Sequence, residues 1–501
     1  MKRTLIPLML LGLIATPAFA KKKDKGPPPA STAPTAPPPD PEAWRATAPA
    51  AATERPWAPP VAKVLTLSNG IPVYLVEKSG LPLVSVRLMV GAGREVNPPG
   101  KAGLAALTAT MLDEGTTTRT ASRLAEEAAA LGAILDARGD AEGAIVSLDA
   151  LTGAPLGPSL DLFADVALHP AFAKADFARV KAETLAGIEE ARSEPRDVAS
   201  RTTLAQIYGV DHPYGTPMVG TTASVTGLKV EDAKKLYTTW YHAGNAALVV
   251  TGAVTEADVR ALLEPRFGRW VRGKTVRPTP PAASAPIKTR VVFVEQPGAV
   301  QSVVRTVTLG VPRSAPEFFP ATMAVTLMGG MFSAPLNMNL REEHGWSYGA
   351  YAWLSNSRDA GLLVASSSVQ ADKTGPAVSE VLKVLAANTG APSAEHLKMG
   401  KDYLLKSLPG NYETNESAAN TLLEIPLYGL GPDGAAAYVK GVTDVTSAQS
   451  ALSATRLFDP ARTLIVVVGP RTLDVDDGKG GKTTIDVPKS LKDLGFEYVE
   501  I

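Results

Sequence analysis

Val73-Tyr74-Leu75-Val76-Glu77, followed after a short gap by Leu81 to Gly91, has a counterpart much later in Val291-Val292-Phe293-Val294-Glu295 and then Val300 to Gly310. Each copy reads as two alternating, β-branched strands joined by a turn that holds Gly80 or Gly298. The matching glutamates stand 218 positions apart (295 − 77 = 218). The far ends agree as well. Ala247 to Gly252 and Leu464 to Gly469 are both buried-type strands closed by glycine, and the glycines are 217 apart (469 − 252 = 217). A repeat whose two ends agree in spacing to within one residue restricts the fold to two homologous units of about 200 residues. The units fall at 61–275 and 288–501, with the Pro/Ala segment 276–287 as linker.

Each unit mixes strands with long helices. Ala102 to Asp113 carries apolar residues at 104, 107, 111 and 112, one face of a helix. Arg119 to Leu131 and Ala175 to Arg192 read as further helices, and Leu131 to Leu151 alternates like a hairpin turning near Gly139-Asp140. In the second unit Glu317 to Met328 and Pro376 to Asn388 read as helices and Gly361 to Gln370 as a strand. Strands and helices grouped in this way predict two α+β sandwiches, each an antiparallel-rich sheet against helices, and not a doubly wound parallel sheet.

The first twenty residues have the form of a secretory signal: Lys2 and Arg3, an apolar run from Leu5 to Ile14, and Ala18-Phe19-Ala20 as the cleavage site. The apolar run is too short to span ~30 Å of hydrocarbon, and no later stretch has the length and apolarity to do so. The mature chain is therefore expected in the periplasm or outside the cell, without a transmembrane segment. The segment 21–60 is rich in proline and alanine and should be an extended tether. With 50 basic against 50 acidic residues there is no electrostatic case for nucleic acid. The absence of cysteine excludes disulfides, thiolate metal sites and a thiol nucleophile.

Gly91-Ala92-Gly93-Arg94, then Gly103-Leu104-Ala105 opening a helix that ends Met111-Leu112-Asp113-Glu114-Gly115-Thr116, resembles the pitrilysin/insulinase family of zinc peptidases. His212-Pro213-Tyr214-Gly215 with Gly220, and Leu340 to Tyr348, resemble it too, so the likeness runs from about Val61 to the C-terminus. The resemblance implies two tandem units closing like a clam shell. Active members carry H-x-x-E-H on the helix, where histidines four apart pinch one Zn²⁺ and the glutamate activates its water. This helix has Ala106 at the first histidine, Ala109 at the glutamate and Thr110 at the second histidine. The family's third ligand, a glutamate on a later helix, falls at Gly187, with Glu183, Glu189 and Glu190 nearby. The five histidines at 169, 212, 242, 344 and 396 contain no pair at helical ligand spacing, and each is expected at the surface or as a cap. No zinc or other cofactor is expected on this chain.

In the second unit Arg341 and Tyr348 match the family's Arg and Tyr that face the zinc across the chamber, hold the substrate backbone and steady the tetrahedral intermediate. The competing reading of the residues alone is a helix-end cluster in which Arg341 pairs with Glu342 or Glu343. The resemblance implies a substrate-binding subunit of a heterodimeric zinc peptidase, inactive alone, whose homologous partner supplies zinc and general base. Two other classes remain open: a structural scaffold without proteolytic role, and a peptide-binding or chaperone-like protein. Gly481-Lys482-Thr483 lacks the first glycine and the context of a phosphate loop, and Asp474 to Gly478 lacks the spacing and the glutamate of a calcium loop. A polar hairpin explains Asp474 to Thr484 better.

Overall fold

The computed structural model describes residues 42–50, 52–53, 57–283, 286–355, 357–359, 361–476 and 478–501. The expected signal at 1–20 lies outside the described residues, as does the tether up to position 41. The chain divides into Met1–Pro56 and Trp57–Ile501. The described part of the first holds a short 3-10 turn, Ala43–Ala46, with no buried residue.

The remainder contains two six-stranded sheets. The first is built from β1 (Lys63–Thr66), β2 (Pro72–Glu77), β3 (Leu83–Val90), β4 (Ile134–Gly139), β5 (Ala144–Leu151) and β6 (Ala246–Gly252), in the order β1-β2-β6-β3-β5-β4. The second uses β7 (Arg290–Glu295), β8 (Gln301–Leu309), β9 (Ser347–Ser355), β10 (Leu362–Gln370) and β11 (Leu464–Gly469). A small hairpin, β12 (Thr472–Asp476) and β13 (Lys482–Asp486), stands apart before β14 (Glu497–Glu500) closes the edge, giving β14-β7-β11-β8-β10-β9. Five strands correspond one to one between the sheets. In both, the closing strand (β6 or β11) runs parallel to the first repeat strand and antiparallel to the second. The edges differ: β1 precedes β2 and pairs antiparallel, whereas β14 arrives from the C-terminus and pairs parallel with β7. This is the expected pair of α+β sandwiches, duplicated down to the hydrogen-bond ladder.

β6 and β11 are buried along their whole length, which explains why they read as unbroken apolar runs instead of alternating ones. One face of each sheet is covered by its own half's helices. Leu104, Leu107, Phe163, Phe177 and Phe267 lie in the first core; Phe318, Met328, Leu340, Val378 and Phe458 lie in the second. The opposite faces are covered by exchange. From the first half, the helix Pro195–Tyr208 lays Ala199 and Ile207 on Val303, Val307, Val364 and Val466. From the second half, Asn415–Leu422 and Glu424–Tyr428 lay Ala419, Leu422 and Ile425 on Met89, Ile145 and Val249. Each of the Val, Leu, Ile and Met side chains among them contributes about 1.5–3 kcal/mol when fully buried, so baring either sheet would be costly.

An arginine sits at the same place beneath each exchanged helix. Arg87 on β3 and Arg305 on β8 are 218 positions apart and are 1 % and 9 % exposed. Arg87 donates from Nη2 to both Asp149 oxygens (3.1 and 3.2 Å) and from Nε to Asn420 of the exchanged helix (2.9 Å). Arg305 donates to Ser200 of the other exchanged helix (2.7 Å). The linker is fastened between the halves: Arg277 donates to Glu95 (3.1 Å) and Glu142 (3.4 Å) of the first half and bonds Asp359 of the second. The Glu142 carboxylate also accepts from Tyr214 (3.0 Å), Ser357 (3.1 Å) and the Arg358 amide (3.1 Å).

Removing one member of a buried ion pair strands the other, at a cost of about 3–5 kcal/mol. Asp149→Ala should therefore destabilise the chain by roughly that amount. Chemical denaturation should show the loss as a lower midpoint, with Arg87→Met/Asp149→Ala together costing less than Asp149→Ala alone.

Candidate functional site

The helix that would carry a metal site is Leu104–Thr110. It starts at Gly103, whose φ of +93° and approach to Val219 leave no room for a side chain: a Cβ would lie 2.5 Å from the Val219 carbonyl oxygen. Asn97 Oδ1 accepts from the Ala105 amide (2.7 Å) and satisfies one of the open donors of the first turn. Leu104 to Ala109 are all buried. Ala106 is pressed against β4, where a Cβ on Gly139 would come within 2.7 Å of the Ala106 Cα. Ala109 is fully buried, and the Thr110 hydroxyl donates back to the Ala106 carbonyl (3.2 Å).

Gly187 is exposed on the helix Lys174–Glu190, which packs beside the Leu104–Thr110 helix, with open space where a side chain would project. The topology thus brings the expected helices together. The residues do not fit zinc, because alanine and glycine offer no donor atoms. Among the described residues, no three of His, Cys, Asp and Glu gather as metal ligands. The neighbouring acids are committed elsewhere: Glu183 to Arg179 (3.0 Å), Glu114 to the same arginine, and Glu189 to Arg192 (3.4 Å).

His212 and His242, expected at the surface or as caps, are both buried, His242 at the N-cap of the turn Ala243–Asn245. His212 Nε2 contacts the Pro281 carbonyl (2.9 Å), and its ring stacks on Tyr208 with centroids 5.0 Å apart. His242 Nε2 lies 3.2 Å from Thr275 Oγ1. Both bind the linker and its approach to the first half, a role their local sequence did not signal. His169 caps the helix Leu156–Leu168, as expected.

In the second half two π-helical turns, Thr326–Gly330 and Met338–Glu343, interrupt the helical run that ends at Glu343. Such turns are frequent at functional sites. Arg341 lies in the second, its guanidinium 4.7 Å from the Phe332 ring centroid and 3.4 Å from Glu342. That ion pair is exposed on both sides and holds the arginine only weakly. Tyr348 is the second residue of β9 and is 92 % exposed.

The connecting segment is tightly fixed. Gly345 (φ +66°) makes the turn, and the His344 and Trp346 rings stack at 4.0 Å. The Ser347 hydroxyl lies 2.6 Å from that of Ser367, and Asn337 accepts from the Ala350 amide (3.1 Å). A permanently charged guanidinium and a phenol open to solvent can hold a peptide carbonyl or a developing oxyanion.

Fold and site together define a two-unit peptidase-type sandwich whose metal-site helix carries no metal donors. A family model described as insulinase (peptidase family M16) matches residues 73–222, and one described as peptidase M16 inactive domain matches 227–404. The chain belongs to this insulinase-type family, as a member of the inactive type. Among its relatives, an uncharacterized zinc protease of Mycobacterium leprae is 26 % identical over 326 residues, 65 % of this chain and 73 % of that protein. One of Rickettsia bellii is 23 % identical over 310 residues, 62 % and 74 % of the two chains. A peptidase M16 inactive domain from Pseudomonas fluorescens superposes with a TM-score of 0.76 at 23 % identity, over 82 % of this chain and 98 % of that one. A protease from Helicobacter pylori gives 0.75 at 17 %, over 82 % and 100 %.

Asp113, just past the helix, accepts from the Ala137 amide of β4 (3.2 Å). Burial, and then the charges of Asp136 and Glu114, push its carboxyl up to about 7 from 3.8. The folded chain therefore keeps a proton that the unfolded chain releases, and stability falls as pH rises between those values. Asp113→Asn, which retains an acceptor, should match wild type near pH 4 and exceed it above pH ~7 in thermal melts.

Proposed function

We propose that this chain is the substrate-binding, non-catalytic subunit of a two-chain zinc peptidase, exported to the periplasm or beyond. A homologous partner bearing H-x-x-E-H supplies zinc and the general base, and its substrate is a peptide or an unfolded polypeptide. The observation that carries this reading is the contrast between the two halves. The first has neither imidazole nor carboxylate at the metal positions, while the second presents Arg341 and Tyr348 on a segment pinned by backbone and side-chain bonds. Arg341 is suited to the substrate backbone because its charge is permanent and its donors form a fixed fork. Tyr348 has a free approach to an incoming carbonyl because almost none of its surface is covered.

The test is peptidase assay of the purified chain, alone and after co-expression with a zinc-bearing homologue. The chain alone should be inactive and the pair active. In the pair, Tyr348→Phe or Arg341→Ala should lower kcat by about 10²–10³-fold, the usual effect of removing one donor to a developing oxyanion. Zinc-dependent cleavage by this chain alone would sink the proposal. An active pair indifferent to both substitutions would favour a scaffold, and peptide affinity without any active pair would favour a chaperone-like role.

A further inference from the structure

The duplication gives each buried arginine an internal control. In the first sheet Ser147 stands directly opposite Arg87, and Asp149, two residues on, supplies its carboxylate. In the second sheet Ser366 stands opposite Arg305, so the residue in the place of Asp149 is Ser368. The second arginine has lost the carboxylate that the first one keeps. No Asp or Glu oxygen lies within ion-pair distance of Arg305 among the described residues. Its Nη1 donates to the Ser200 hydroxyl, its Nε is buried without a partner, and its Nη2 makes no hydrogen bond. Burial, with Arg196 adding to it against the opposing charge of Asp197, holds the guanidinium below its ordinary pKa.

A second cation points into the same place. Arg196, in the first turn of the exchanged helix, reaches Ser368 Oγ at 3.4 Å. The hydroxyl of Ser366 makes no hydrogen bond, and Tyr351, directly opposite it on β9, leaves the row Arg305–Ser366–Tyr351 partly open. Arg305 and Ser366 thus face each other across the strands, with Arg196 on Ser368 two residues along, at the register position that a carboxylate fills in the other half; Asp197, whose charge also acts on Arg305, makes no ion pair with it. A buried cation without its anion is costly, whereas a carboxylate accepts charge-assisted bonds from both arginines at once.

We propose that Arg305 and Arg196, with Ser366 and Ser368, form a binding site for a carboxylate supplied by a ligand, in the place that Asp149 occupies in the first half. The carboxylate comes either from a small organic acid or from an acidic side chain of a bound peptide. This site is separate from Arg341 and Tyr348 and does not depend on the reading of those residues.

Calorimetry and thermal melts of the full chain test it, using sodium succinate, a blocked Ala-Glu-Ala tripeptide and its Ala-Gln-Ala counterpart, against sodium chloride at equal ionic strength. Wild type should show saturable binding and a raised Tm with succinate or with the Glu tripeptide, and neither with chloride or the Gln tripeptide. A response to succinate alone assigns the site to small acids, and a response to the Glu tripeptide assigns it to acidic peptides. Arg305→Met, which places an apolar chain on an apolar sheet face, should fold and lose the response. Ser368→Asp restores the carboxylate internally, so it should melt higher than wild type without ligand and bind roughly tenfold or more weakly. Absence of any carboxylate response in wild type would overturn the proposal, as would an unchanged response in Arg305→Met.

Discussion

The exchange of one helical segment between the halves is the constraint on which the rest of the structure depends. Each sheet has an apolar outer face that its own half does not cover. Pro195–Tyr208 closes the second sheet, and Asn415–Tyr428 closes the first. Neither half therefore has a complete core alone, and the relative placement of the halves is set by packing and not by the linker. The arginines beneath the exchanged helices add directionality, since Arg87 to Asn420 and Arg305 to Ser200 each tie a strand of one half to a helix of the other. Arg277 then joins the linker to three carboxylates drawn from both sides.

That fixed frame gives meaning to what the site has lost and kept. With the halves locked, the Leu104–Thr110 helix and the Lys174–Glu190 helix pack side by side. At the positions that the resemblance assigns to ligands and base stand Ala106, Ala109, Thr110 and Gly187, all small residues. Ala106 now packs against Gly139 so closely that the β4 backbone rests on the helix. In the second half the segment carrying Arg341 and Tyr348 is held by Asn337, Ser347, Ser367 and the His344–Trp346 stack.

Much of the fold was legible because the repeat left the same β-branched strands at one spacing, and because β6 and β11 end in matching glycines. The edge strands were not legible: β1 and β14 are short and come from opposite ends of the chain. The degenerate site could be read from residue identity alone, since alanine cannot ligate in any geometry. The linker contacts could not be read. Glu95, Glu142, Arg277 and Asp359 are far apart in sequence, and burial of His212 and His242 depends on a segment folding back over them. Arg87 and Arg305 were visible as repeat-matched residues, but only strand register showed that Asp149 answers one and Ser368 the other.

The central proposal is that this chain has the architecture of the insulinase-type family without zinc ligands on its Leu104–Thr110 helix. Metal analysis of the purified full chain after dialysis against excess zinc and then metal-free buffer tests it most directly. The account predicts zinc no higher than in a control protein without a metal site. Stoichiometric zinc that survives dialysis, and is lost when residues of the first half's helix are substituted, would contradict it.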